Sequence, residues 1–138
     1  MSETSVGTVT GRALSRELGR MLASIRREHD RLAKRGRDLP PGADWLLDNW
    51  YLIEREGKLA ASELRGAGRL RASGGSAVIV SACSALVREC GGSVTAEHAA
   101  RYLEEFQREL PLTMRELGLF APALRFALTA EICAAVAD

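Results

Sequence analysis

The chain has 138 residues, 46% hydrophobic and 27% charged, which is one domain's worth of globular sequence and excludes wholesale disorder. Its 19 basic and 18 acidic side chains leave a formal charge of +1, so no strong overall field draws it to nucleic acid or to a membrane surface. Three cysteines cannot all pair within the chain, which fits a reduced, cytoplasmic setting, and two histidines leave little material for metal or acid–base sites.

The opening Met1-Ser-Glu-Thr-Ser-Val-Gly-Thr8 has no basic segment followed by an apolar one, so it does not read as a signal peptide. The longest apolar stretch, around Ala77 to Val87, is interrupted by serines, and the sequence reads as carrying no membrane span. Charge is unevenly spread. Residues 1–42 hold nine Lys/Arg against five Asp/Glu, whereas residues 76–138 hold five against eight. The basic side chains of the first helix are expected to face solvent, with an anionic partner as the alternative. Two regions follow, a basic N-terminal helix and linker over 1–42 and a helical domain over 43–138.

The first helix is predicted over Gly11–Lys34 with Thr10 as its N-cap. Leu14, Leu18, Met21, Ile25 and Leu32 form one narrow apolar stripe, the width of a two-helix seam or an edge helix. Gly36 and Pro40-Pro41 end it. The second helix opens after Pro41-Gly42, with Asp44 suited to the positive end of the helix dipole. Trp45, Leu46, Leu47, Trp50, Tyr51, Leu52 and Ile53 make its first turns apolar. Gly57, Gly66 and Gly68 weaken its second half, which is expected to fray or bend past Arg65.

Arg69 to Gly75 reads as a connector without regular structure. The third helix, Ser76–Cys90, is apolar almost all round and is predicted to be the central buried one, with a strand at Val78-Ile79-Val80 as the alternative. Gly91-Gly92 stops it. Thr95 caps a fourth helix with a stripe of Ala99, Leu103, Phe106 and Leu110, ended by Pro111. Thr113-Met-Arg-Glu116 is a capping box that opens a fifth, which Pro122 is expected to kink or split. The fold class is therefore all-α, a bundle of about five helices with no convincing strand and the last helix kinked at Pro122. Leu46, Leu47, Trp50, Leu86, Phe106, Leu117 and Leu124 are the expected core.

Chemistry-bearing patterns are sparse. There is no glycine-rich phosphate loop and no nucleophile elbow. Cys83 and Cys90 are two helical turns apart, about 10 Å of rise, too far to share a disulfide or a zinc ion. With Cys133 they read as small buried apolar residues. His29 and His98 read as surface residues without a metal partner one turn away. Asp44 and Asp48 share a face of the second helix, where capping or a polar contact suits them better than acid–base work. Trp45, Trp50 and Tyr51 have the flat apolar faces that stack on sugars, but helical spacing favours core packing. No catalytic, cofactor-binding or metal-binding set is expected.

The string Asp44-Trp-Leu-Leu-Asp-Asn-Trp-Tyr-Leu-Ile53 closely resembles a segment near the N-terminus of cyclic β-1,2-glucan synthases. Those large bacterial proteins combine a membrane glycosyltransferase with a carbohydrate phosphorylase-like domain of glycoside hydrolase family 94, formerly glycosyltransferase 36. A second stretch resembles the same family in order and spacing. It runs through Pro111-Leu-Thr-Met-Arg-Glu-Leu117 and Ala121-Pro-Ala-Leu-Arg-Phe-Ala-Leu128, against the family pattern PLTxxELWAxPxxLRxAL. The likeness covers about residues 43–138, only a few per cent of the family's full length. Gly118-Leu119-Phe120 stands where the family has Trp-Ala, and the stretch from Glu63 to Gly75 is glycine-rich instead of Arg/Tyr/Pro-rich.

The resemblance implies a noncatalytic N-terminal helical scaffold in a larger glucan-processing protein on the cytoplasmic side of the inner membrane. Its partners would be the remaining domains of that protein, and β-glucan. Asp48, Asn49, Tyr51 and Arg125 are the residues expected to contact a neighbouring domain or a sugar. The alternative is a free-standing α-helical interaction module that self-associates, as a homo-oligomer, through the stripe of the first helix.

Overall fold

Thr8, Val9 and Thr10 are β-branched, and the computed structural model, which describes residues 7–137, places Gly7–Thr10 in a strand, β1. It leads directly into α1 (Gly11–Ala33), followed by α2 (Ala43–Arg65), β2 (Arg69–Ser73), β3 (Ser76–Ala77), α3 (Val78–Glu89), α4 (Ala96–Glu109), α5 (Met114–Gly118) and α6 (Phe120–Ala137). The protein is thus mainly helical, as expected.

The expectation of no strand is corrected. Arg69–Gly75 is one arm and the turn of a hairpin rather than an irregular connector. Ser73 pairs with Ser76 across Gly74-Gly75, both at positive φ (63° and 85°), the two-residue turn whose twist suits a hairpin. β2 also pairs antiparallel with β1, from Gly7 opposite Ala72 to Thr10 opposite Arg69, giving the order β1-β2-β3. The third helix starts two residues later than predicted, because Ser76 and Ala77 belong to this ribbon.

Local signals set most helix ends. Thr10 Oγ1 accepts from the Ala13 amide (3.1 Å), and Thr95 Oγ1 from that of His98 (3.1 Å). Thr113 and Glu116 form the full reciprocal box. Pro122 does not kink a continuous helix. The chain breaks at Leu119, between α5 and α6, and Pro122 sits buried in the first turn of α6, where its missing N–H is not needed.

α1 and α2 pack along their length, and α6 lies against α1, α2 and α3. Leu18, Ile25, Leu64, Ile79, Leu86, Val87 and Cys83 are fully buried, each large side chain contributing about 1.5–3 kcal/mol. Of the expected core, Leu46 and Leu86 are buried, while Leu47, Trp50, Phe106, Leu117 and Leu124 are half-buried and pack on its edge. The α1 stripe is spent inside the chain: Leu14, Leu18, Ile25 and Leu32 are buried, so self-association through it requires α1 to leave α2.

α6 spans 18 residues with only Arg125 and Glu131 charged, long and apolar enough by length and composition to cross a bilayer. In the fold it packs against α1, α2 and α3, with 28% of its residues buried.

Candidate functional site

α2 spends one face on its neighbours, through Leu46, Ile53, Gly57, Ala60 and Leu64. Its other apolar residues, Trp45, Leu52 and Leu59, recur at intervals of seven and so form a second stripe. They are 52%, 46% and 45% exposed. Beside Trp45 and Leu52, α6 presents Phe120, Leu124, Leu128 and Ile132, and the two helices enclose an open, mainly apolar groove of about 500 Å³. Trp45 and Ile132 also wall two adjoining depressions, of about 370 and 470 Å³. The indole therefore stands where three concavities meet.

Polar groups are few and already engaged. Arg125 Nε donates to Glu56 Oε1 (2.8 Å), and its Nη1 lies 3.7 Å from Glu63 Oε1, clasping α6 to α2 along the groove. The Arg125 hydrogen bond holds the Glu56 carboxyl below the usual carboxylate range. Asn49 Nδ2 donates to the Trp45 carbonyl (2.8 Å), one turn back, bracing the turn that carries the indole. No side chain in this set is arranged as a nucleophile with a base.

Among the four residues expected to meet a sugar or a neighbouring domain, the structure brings Asn49 and Arg125 together in this groove. Asp48 and Tyr51 lie outside it, exposed to solvent, Tyr51 at 74%. Asp44 is exposed as well. The two tryptophans have different surroundings. Trp50 is half-buried and stacks on His29, with ring centroids 5.7 Å apart, which corrects the reading of His29 as a plain surface residue. His98 is exposed. Cys83 is buried, whereas Cys90 and Cys133 are half-buried rather than in the core.

Sequence reasoning weighed Trp45 and Tyr51 as sugar platforms but favoured the core for them, which their exposure corrects, and it did not single out Leu52, Glu56 or Ile132 as a site. The seven-residue spacing of Trp45, Leu52 and Leu59 was the available signal, but a stripe of that kind is indistinguishable from core until its neighbours are known. Among the described residues no group of three or more His, Cys, Asp or Glu side chains is placed to hold a metal ion.

Comparison with protein-family models, curated proteins and solved structures finds no match to the chain. The sequence singled out two stretches, Asp44–Ile53 and Pro111–Leu128. In the fold these are neighbours: Trp45, Asn49, Leu52 and Ile53 come from the first and Ala121, Leu124, Arg125 and Leu128 from the second, and all eight line the groove.

Proposed function

We propose that the chain is a noncatalytic helical scaffold of a cyclic β-1,2-glucan synthase-like, glycosyltransferase 36-type protein, and that its α2–α6 groove seats an apolar helix from the rest of that protein. The observation that supports this reading is the meeting of the two family-like stretches on one open groove, although they are separated by the whole of α3 and α4. An apolar stripe at heptad-like spacing is the surface onto which an amphipathic helix packs. Half-exposed Trp45 and Leu52 are the apolar anchors such an interface uses. The setting that goes with this reading is the cytoplasmic side of a bacterial inner membrane.

The native reading frame tests the first half of the proposal. Continuation into glycosyltransferase and phosphorylase-like domains is expected, and a native stop after Asp138 overturns it. Trp45→Ala and Leu52→Ser test the second half. Both are expected to leave the isolated chain folded, because each side chain is about half exposed, while loosening its attachment to the longer protein in limited proteolysis. Unchanged proteolysis overturns the groove assignment. Titration with β-1,2-glucan oligomers, followed by tryptophan fluorescence, separates sugar contact from pure docking.

A further inference from the structure

Away from the groove, three arginines line a separate concavity. Arg12 and Arg16 lie one turn apart at the start of α1. Arg65 is the last residue of α2, whose end comes back beside them. With Ser15 they line a depression of about 270 Å³. The approach depends on Gly11, since a Cβ there would stand 1.9 Å from the Leu64 carbonyl oxygen. Close contact at Gly11–Leu64 is what carries Arg65 to the two α1 arginines.

The charge arrangement is unfavourable by itself. None of Arg12, Arg16 and Arg65 has a carboxylate within 4.0 Å among the described residues, while Arg26, Arg31, Arg35, Arg55, Arg71 and Arg125 each do. The first turn of α1 contains no acidic residue, although a helix N-terminus carries partial positive charge and favours anions. Arg12 and Arg16 add like charge at i and i+4, which further disfavours the helix. A bound anion reverses each of these effects.

We propose that this depression binds a phosphate group. Guanidinium forks match the tetrahedral oxyanion and donate charge-assisted hydrogen bonds, and the Ser15 hydroxyl supplies one more donor. Two guanidiniums already balance a doubly charged phosphate, and the third leaves the depression net positive with the anion bound. The phosphate belongs either to a small soluble molecule or to a lipid headgroup, and the same residues serve both. The site goes beyond the scaffold reading and stands or falls independently of it.

The test uses the full isotope-labelled chain. Inorganic phosphate is titrated at constant ionic strength against chloride, with the arginine Nε–H signals and the amides of Arg12–Arg16 as readout. Saturable shifts are expected. Arg16→Gln and Arg65→Gln should each weaken binding roughly tenfold or more, the scale of one charge-assisted hydrogen bond. Arg20→Gln removes the next arginine on α1, outside the depression, and should stay within about twofold, as a screened exposed charge does. A second arm measures sedimentation with vesicles of phosphatidic acid in phosphatidylcholine against phosphatidylcholine alone. Binding only to the acidic vesicles, lost in both variants, assigns a lipid headgroup. A response equal to that of chloride, equal shifts in Arg16→Gln, or no binding in either arm overturns the proposal.

Discussion

Arg71 and Glu116, 45 residues apart, join the β-ribbon to the first turn of α5 through a two-pronged ion pair. Arg71 Nε donates to Glu116 Oε2 at 2.8 Å, and a second guanidinium nitrogen reaches Oε1 and the Pro111 carbonyl. Glu116 Oε1 also accepts from the Thr113 amide at 2.9 Å. The glutamate that marks a helix start in the sequence is thus also the anchor of the hairpin.

Glu116 is only 3% exposed, so removing its partner leaves a buried carboxylate. Arg71→Met is expected to cost about 2 kcal/mol or more at neutral pH. Glu116→Gln should cost less, about 1 kcal/mol, because glutamine keeps the capping bond and Arg71, at 37% side-chain exposure, can turn to water. Urea unfolding of the two variants checks the order.

The same pair carries a pH dependence. The Arg71 hydrogen bond holds Glu116 below its ordinary value of 4.5, against the opposing effect of burial. A carboxyl depressed in the folded state stabilises it above that ordinary value and loses the contribution as pH falls through the folded value. Stability should therefore drop as pH falls below 4.5. In Arg71→Met the depressing partner is gone and burial still opposes ionisation, so this decline should shrink or vanish. Unfolding midpoints measured between about pH 3 and about pH 6 test this.

Two glycines of α1 should respond in opposite directions to alanine. Gly11 faces the Leu64 carbonyl, a backbone atom that cannot rotate away, so Gly11→Ala should cost about 3 kcal/mol or displace α1 from α2. Gly19 has nothing within 4 Å of its absent Cβ, so Gly19→Ala should gain about 1 kcal/mol of helix propensity. Thermal melts of the two variants give the comparison.

Leu18 separates a folded core from a self-association seam. It is fully buried, and Leu18→Ala should cost roughly 2–5 kcal/mol at every protein concentration. A cost that varies with concentration would show that the stripe serves an oligomer. Met114, at 85% exposure, is the control, with Met114→Ala within about 0.5 kcal/mol of wild type.

The three thiols should differ in reactivity. Burial pushes Cys83 up to about 12, so it is protonated and enclosed at neutral pH. Alkylation mapped by mass spectrometry should label half-buried Cys90 and Cys133 first, and Cys83 only on unfolding. Equal labelling of Cys83 in the folded chain would contradict its enclosure between α3 and α6.

Elements written in local chemistry were legible before any coordinates. Thr10, Thr95 and the Thr113–Glu116 box announce helix starts because a cap bonds only to the turn beside it, and apolar residues spaced three and four apart on α1, and Ala99, Leu103 and Phe106 on α4, show their inner faces. The ribbon was missed because β3 is two residues long and β1 and β2 are strands only by virtue of each other: partners as far apart as Gly7 and Ala72 leave no local period. The break at Leu119 was misplaced by three residues for a similar reason, since proline is accepted in a first turn and the stop lies upstream of it.

Which exposed apolar residues form a surface was likewise beyond local signals. Trp45 and Trp50 look alike in the sequence, yet one is packed against His29 and the other walls the groove, according to which helix happens to stand opposite. The motif residues Asn49 and Arg125 were legible as candidates, but not that they share a groove, nor that Arg12, Arg16 and Arg65 share a depression. Sequence by itself determined the helical class, the caps and the inward stripes, because these depend on interactions within a few residues. The β-ribbon, the groove and the arginine depression were decided only by tertiary structure, because each is made of residues that long chain separations bring together.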